Sequence, residues 1–341
     1  MKIVQIMATD GGKIGGLEKH TFQLCTQLSK QQDVHLFLDI QYKNQLPESS
    51  SLHFYYYDFS KSRMNPCLLY AVLKTIKHIQ PDVVHAQGGK AAKILGYLLP
   101  FLKIPSIATI HGMKNNIRSY QNFSEVIAVS QAVAKKIRLY RPVHVIYNGV
   151  DLEKPTSFAS VHSKHPQKAI AIGRLDPVKG FDQLIQAWQG IDLELEILGS
   201  GTQYEVLNQQ IQNLNLQDKV RLVGYQKDIF PFLQSSDLVI VSSSREGGPL
   251  IVAEALLENK PVIATNVGMV SDFVPPQYIA KGYSAEDLHA LIQFTIAKFD
   301  NVYQDFQPAF DKAKAELSLD TMVEKTLKIY HLAIQQSQKV N

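Results

Sequence analysis

The chain has 341 residues, 45% of them hydrophobic and 19% charged, with a formal net charge of +4. That length exceeds one typical α/β domain and fits two of roughly 150 to 190 residues, and the composition excludes disordered and collagen-like classes. Cys25 and Cys67 are the only cysteines, which excludes a disulfide framework and a CxxC metal site and favours a reducing cytoplasm.

Lys2 and the apolar run after it lead straight into Gly11 and Gly12, so the start reads as a first strand and not as a secretory leader. A helix is predicted over 16–29, a strand over 33–38 and a helix over 67–79, where Leu68, Leu69, Val72, Leu73 and Ile76 have helical spacing. Strands over 82–85, Ser106–Ile110 and 125–129 alternate with helices over 90–99 and 131–139. The stretch 148–167 breaks the rhythm with Gly149, Pro155, Thr156, Ser157, Ser160, Ser163 and Pro166, a linker composition.

The alternation then restarts. Strands are predicted over 169–172, 193–198, 220–223, Leu238–Val241 and 261–265, and helices over 181–189, Tyr204–Asn213, 229–234 and 249–258, with further helices from Ala285 onward. Short apolar strands alternating with helices indicate parallel sheets covered on both faces. The expected fold is therefore α/β, with two Rossmann-like, doubly wound domains facing a cleft. The boundaries are 1–150 for the first, 151–317 for the second and 318–341 for a C-terminal helix that packs back on the first.

The two halves differ in charge. Residues 1–150 hold 18 Lys+Arg against 8 Asp+Glu, a balance of +10, whereas the remainder holds 17 against 23, a balance of −6. A basic half points to an anionic partner, such as a membrane surface or a phosphorylated or lipid-linked acceptor. Lys90, Lys93 and Lys103 flank an apolar stretch with Tyr97, Leu98, Leu99, Phe101 and Leu102, and Lys135, Lys136, Arg138 and Arg141 form a second basic run. The apolar stretch reads equally well as a core helix or as a monotopic membrane contact. It is too short to cross a bilayer, and no reader motif points to nucleic acid.

Three loops sit where strand ends place ligands in such folds. The first runs from Thr9 to Glu18 and includes Gly11, Gly12, Gly15 and Gly16. It is neither a GxGxxG fingerprint nor a P-loop, since Leu17 and Glu18 stand where Lys and Ser/Thr are required. The second, Gly173-Arg174-Leu175-Asp176-Pro177-Val178-Lys179-Gly180, puts a guanidinium and an ammonium beside a strand end, a pair suited to the two phosphates of a nucleotide-sugar. The third, with Gly199 and Gly201, is weak by itself.

The segment Arg245-Glu246-Gly247-Gly248-Pro249-Leu250-Ile251-Val252-Ala253-Glu254 carries two glutamates eight positions apart. Over a helix that is about 12 Å, too far for a proton-sharing dyad and beyond the usual glycosidase pair. It suits two carboxylates gripping the two ends of one ligand, a sugar and a ribose. The backbone N–H groups between them, at Gly248 to Ile251, are free to face phosphates.

Glu246 to Glu254 is also an E-x7-E pattern, and with it the chain resembles retaining glycosyltransferases of the GT-B fold, family 4 (group 1). The other motifs occur in the same order: Gly15-Gly16-Leu17-Glu18, His111-Gly112, Val129-Ser130, Asn148-Gly149-Val150-Asp151, Gly173-Arg174 and Lys179-Gly180. The resemblance implies that Arg174 and Lys179 bind the diphosphate, Glu246 the donor sugar hydroxyls and Glu254 the ribose. His111 is implied to lie against the reaction centre. Gly15, Gly16, Gly173, Gly199, Gly247, Gly248, Leu250 and Ile251 are implied to line the donor. The family often has a larger residue where Gly248 stands.

The implied function is retaining transfer of a sugar from a nucleotide-sugar, UDP-linked on family frequency, to the hydroxyl of a glycan or glycolipid acceptor. Surface polysaccharide or lipooligosaccharide synthesis is the implied setting, with a cytoplasmic placement that includes peripheral contact with the inner face of the membrane. Neither cofactor nor metal is implied, and no HExxH or Cys/His cluster is present in the sequence. A GT-B nucleotide-sugar epimerase and a non-catalytic nucleotide-sugar-binding protein stay open as alternatives.

Overall fold

The computed structural model of the chain describes residues 1–9, 11, 15–43, 51–112, 118–137, 142–151 and 165–340. In chain order it contains β1 (Lys2–Met7), α1 (Gly16–Leu28), β2 (Asp33–Asp39), β3 (Leu52–Tyr57), α2 (Pro66–Ile79), β4 (Val83–Gln87), α3 (Gly88–Leu98), β5 (Ser106–Ile110), β6 (Glu125–Ala128), α4 (Gln131–Lys136) and β7 (Val143–Val145). These are followed by β8 (Lys168–Ile172), α5 (Phe181–Ala187), β9 (Glu194–Leu198), α6 (Tyr204–Asn213), β10 (Val220–Gly224), α7 (Phe230–Ser235), β11 (Leu238–Val241), α8 (Leu250–Leu257) and β12 (Val262–Ala264). The last helices are α9 (Val270–Phe273), α10 (Ala285–Ala297), α11 (Phe299–Glu316) and α12 (Leu319–Val340).

The chain divides into two compact units, 1–151 with 318–341 and 152–317. The first unit holds a seven-stranded sheet in the order β3-β2-β1-β4-β5-β6-β7, all parallel. The second holds a five-stranded parallel sheet in the order β10-β9-β8-β11-β12. In each sheet the strand order reverses once, between β1 and β4 and between β8 and β11. Loops leaving the carboxyl ends of those two pairs diverge and leave a crevice for ligand.

Local chemistry accounts for the elements. In α2, Pro66 takes the first helical position, the Asn65 side chain accepts from Leu68 N at 3.0 Å, and Leu68, Val72, Ile76 and Ile79 bury one stripe. Its end is set by Gln80 in the left-handed region, φ 53°. Strands β4 and β5 are buried along their whole length, as expected of central strands covered on both faces.

Two apolar clusters cover the two faces of the first sheet. One gathers α2, α3 and α4 around Val4, Ile6, Phe37, Val84 and Ala108. The other packs α1 and α12 on Ile3, Met7, Leu36 and Ile107, with Met322, Tyr330 and Ala333 of α12 buried in it. Gly149 is where α12 is received. A Cβ there would stand 2.6 Å from Ser318 O and 2.7 Å from Leu319 Cα, and Leu319 N donates to Val150 O at 3.0 Å.

Several expectations need correction. Strands β3 and β7, at the two edges of the first sheet, were not predicted; β3 reads Leu-His-Phe-Tyr-Tyr-Tyr without alternation. The helix expected over 131–139 ends at Lys136, and Arg138 and Arg141 lie outside the described residues, as do Asp10, Gly12–Ile14 and most of the linker. Pro249 is the residue before α8, not in its first turn. The apolar stretch around Leu98 is mainly core: Ile94, Leu95, Leu98 and Leu102 are buried, while Tyr97 and Phe101 face outward. Among the described residues no helix is long and apolar enough to cross a membrane.

Candidate functional site

In the second unit the loops after β8 and β11 meet at the strand-order reversal. The loop after β8 carries Gly173, Arg174 and Lys179; the loop after β11 carries Ser242, Ser243, Ser244 and Glu246. Three hydrogen bonds join them. Ser242 Oγ donates to Lys179 O at 2.8 Å, Ser244 N to Val178 O at 2.9 Å and Ser244 Oγ to the same carbonyl at 3.2 Å. Gly180, at φ +64°, fits because a Cβ would lie 2.3 Å from Ser242 O. The two loops are thus held as one backbone cradle.

Within that cradle Lys179 Nζ and Glu246 Oε1 form an ion pair, both side chains about one-fifth exposed. Ser243 Oγ donates to the same carboxylate oxygen at 3.1 Å, and Ser243 O is in turn held by Thr265 Oγ1 at 2.5 Å. Two residues expected to play separate roles are therefore in direct contact. Gly173 makes room for Lys179: a Cβ on it would stand 3.1 Å from Lys179 Cε. Arg174 is more than half exposed, with its Nε paired to the Asp176 carboxylate. Three serines and a threonine that no motif flagged do this positioning.

Gly199 is explained by packing. At φ +146° its Cβ would fall 1.8 Å from Gly173 O, and one on Gly201 would fall 2.4 Å from Leu175 O. Behind Glu246, Gly247 is buried and Gly248 half-buried, and Gly268, at φ +54°, lets the backbone press on Gly247 O. Helix α8 then begins at Leu250, half-buried, and Ile251, buried. Its first N–H groups and dipole favour negative charge at that end. Glu254, one turn further in, is only 4% exposed.

In the first unit Gly15 precedes α1, and its N–H donates to Glu18 Oε2 at 2.9 Å; Gly16 opens the helix and is exposed. His111 follows β5. Its Nε2 lies 2.8 Å from Gln87 Oε1, at the end of β4, and its ring meets that of His20 edge-on at 4.6 Å. A buried polar chain continues from there. Gln87 Nε2 donates to Gln5 Oε1 at 3.0 Å, and Gln5 Nε2 to Tyr330 Oη at 2.6 Å. Tyr330 Oη is 2.7 Å from His85 Nδ1, and His85 Nε2 is 2.7 Å from Thr109 Oγ1.

Gln87 Nε2 also lies 3.5 Å from His85 Nε2, which closes the chain on itself. Tyr330 Oη accepts from Gln5 Nε2, and as a hydroxyl it can still pair with His85 Nδ1. At the other end the Gln87 carbonyl oxygen takes Nε2–H of His111. Burial, with the nearby charge of His20, drives His85 down to about 3; burial also drives His20 down to about 4, against the opposing contact with Asn148. Both rings are neutral at pH 7. Sequence reasoning placed His111 but missed Gln5, Gln87, His85 and Tyr330, which are distant in sequence. Of the motifs read as inter-domain markers, Ser130 caps α4 by accepting from Val133 N at 3.2 Å, and Asn148 attends His20.

Two parallel-sheet α/β units, each with glycine-lined loops at its strand-order reversal, define the GT-B fold class. Residues 14–154 match the family described as Glycosyltransferase Family 4, and residues 153–304 that described as Glycosyl transferases group 1. The chain belongs to these group 1, family 4 glycosyltransferases. It is 28% identical over 214 residues to an uncharacterized glycosyltransferase of Methanocaldococcus jannaschii, a match covering 58% of this chain and 59% of that one. It is 26% identical over 199 residues to the lipopolysaccharide core biosynthesis glycosyltransferase LpsD of Rhizobium meliloti, covering 56% and 57%. These matches span less than two thirds of either relative. Among solved structures, Anabaena HepE in complex with UDP superposes with a TM-score of 0.82 at 22% identity, over 96% of this chain and 99% of that one.

Proposed function

We propose that this chain is a retaining glycosyltransferase that moves a sugar from a nucleotide-sugar, UDP-linked, to the hydroxyl of a glycan or glycolipid acceptor in surface polysaccharide or lipopolysaccharide synthesis. The observation that carries the reading is the cradle at the β8/β11 reversal, where Lys179, Glu246 and Ser243 are tied together ahead of the N-terminus of α8. Lys179 and Arg174 supply positive charge for a diphosphate as its bond to the sugar breaks, the moment at which charge compensation lowers a barrier. Glu246 accepts from sugar hydroxyls and Glu254 from the ribose. The Gly248–Ile251 backbone meets the phosphates, and His111, oriented by Gln87, is assigned a part in the transfer step.

UDP as the carrier is supported by the solved relative that binds it, and the pathway by the relative named for lipopolysaccharide core synthesis. The acceptor is assigned to the basic first unit, and a peripheral position on the inner face of the membrane follows from the same charge. The cations named supply the charge compensation without a metal or cofactor.

Thermal unfolding with UDP-, GDP-, ADP- and dTDP-sugars, on the natural protein and on Glu254→Ala, tests this. A ligand binding only the native state at 100 times its Kd adds about 2.7 kcal/mol. One nucleotide class should raise the midpoint, and much less so in Glu254→Ala. If no nucleotide-sugar does, the donor assignment is wrong. Conversion of the donor sugar without any acceptor would replace transfer by epimerisation.

A further inference from the structure

At the opposite end of the first sheet, away from the carboxyl ends of its strands, β2 and β3 bring three metal-ligating side chains to one face. His35 and His53 are direct partners across the parallel pair. Asp33 stands two positions before His35, so its side chain leaves the same face. His35 Nε2 lies 3.1 Å and His53 Nε2 3.3 Å from the same oxygen, Asp33 Oδ1. All three ligand atoms fall within 4.8 Å of one another, and the two imidazoles stack with centroids 4.8 Å apart.

We propose that Asp33, His35 and His53 bind a divalent first-row transition metal, of the kind zinc represents, which clamps the edge strand β3 to β2. Zinc–nitrogen and zinc–oxygen bonds of about 2.0 to 2.2 Å place neighbouring ligand atoms about 3 to 3.5 Å apart. Two of the three separations already meet that spacing, and the third closes by a small rotation of the half-exposed His53 ring. Two imidazoles and one carboxylate are borderline nitrogen and oxygen donors that suit zinc, nickel or copper better than calcium or magnesium.

The second observation lies in His35 itself. Its side chain is nine-tenths buried, yet Nε2 makes no hydrogen bond among the described residues, although the Asp33 carboxylate is 3.1 Å away. Nδ1, on the other side of the ring, is 3.2 Å from Tyr55 Oη. Tyr55 on Nδ1 and Asp33 beside Nε2 fix the plane of the His35 ring, and such an oxygen partner on the far nitrogen is what orients metal-ligating histidines. Lys2 Nζ, the nearby cation, donates to Ile79 O at 3.1 Å. Asp33 and His53 are each about half exposed, which leaves an entry path and room for water to complete the coordination. This clamp does not depend on the glycosyltransferase reading.

The test uses untagged, chelator-treated full-length protein titrated with zinc by calorimetry, and with cobalt(II) by visible absorption, which reports coordination number. Hydrogen exchange of the β3 peptide is followed alongside. One equivalent should bind the natural protein, protect β3 and raise the unfolding midpoint, with cobalt bands of a four- or five-coordinate ion. His53→Ala should lose all three effects while keeping its fold in the absence of metal, because His53 is exposed, and Asp33→Asn should weaken binding at least tenfold. No binding to the natural protein, or equal binding to His53→Ala, would overturn the assignment.

Discussion

Acid should loosen the first unit well before its carboxylates titrate. His20 and His85 are fully buried, and both are pushed from 6.5 in the open chain, to about 4 and about 3. A base whose folded pKa is depressed binds more protons unfolded than folded, so stability falls as pH drops below about 6.5 and keeps falling towards the folded values. Between pH 7 and pH 5 each ring contributes a loss of about 2 kcal/mol, at about 1.4 kcal/mol per pH unit, and the pair about 4 kcal/mol. His35, also lowered, adds in the same direction. Glu258, whose carboxyl is raised by burial, acts with the opposite sign but lies in the second unit. Hydrogen exchange of β1 and β4 peptides at pH 7 and pH 5, corrected for intrinsic rates, reads the opening free energy of the first unit. His20→Asn, which cannot titrate, should halve the loss. A change below about 1 kcal/mol in the natural protein would mean that water reaches these rings, and the reasoning from burial would fail.

Tyr330→Phe removes one hydroxyl but strands two buried groups, Gln5 Nε2 and His85 Nδ1; equilibrium unfolding should show a loss of about 2 to 4 kcal/mol. Gly199→Ala drives a Cβ into Gly173 O and should cost more than about 2 kcal/mol, read by fluorescence of Trp188, the chain's single tryptophan, which is buried in the second unit. Glu246→Gln keeps the shape but leaves Lys179 without its counter-charge; transfer should fall about 100-fold with little change in nucleotide affinity. Gln87→Leu frees His111 from its orienting oxygen, and kcat should fall more than KM rises, with His111→Ala on the Gln87→Leu background adding less than it does alone.

Much of the fold is legible because parallel sheets bury their strands on both faces. A run such as that of β11 announces itself by being wholly apolar, β1 and β5 by being mostly so, and the helices between them by their spacing. The edges are harder. Strand β3 ends in a row of tyrosines that are only half-buried and breaks its alternation there, and β7, Val-His-Val, is too short at three residues for periodicity to detect. Among the candidate site residues, Arg174, Lys179 and Glu246 stand out in the sequence as charges near strand ends, and Glu254 as a charge within an apolar helix. The serines that bind Lys179 and Glu246 to one another were not, since a Ser-Ser-Ser run reads as an ordinary loop. The polar chain from His111 to Thr109 was also hidden. Gln5, His85 and Gln87 interrupt apolar strands one residue at a time, and their shared purpose appears only when β1, β4 and α12 are side by side.

That chain also bears on why α12 belongs with the first unit. Packing alone would accept any apolar residue of suitable volume at position 330, since Met322 and Ala333 already seal the helix against the sheet. A tyrosine there is costly unless its hydroxyl is used. It is used twice, accepting from Gln5 and pairing with His85, and Gln5 in turn fixes the amide of Gln87 on which His111 rests. The last helix therefore contributes to the orientation of a candidate active-site ring through three side chains, none of which touches substrate in the proposed reaction. Ordering a histidine by a buried relay of amides resists solvent competition better than a single exposed contact, because each member would have to give up a partner it cannot replace with water. The same relay makes the unit sensitive to acid. Buried His85 holds its place in the relay only while it stays uncharged, so the pH at which β1 and β4 open and the pH at which His111 loses its orientation should coincide.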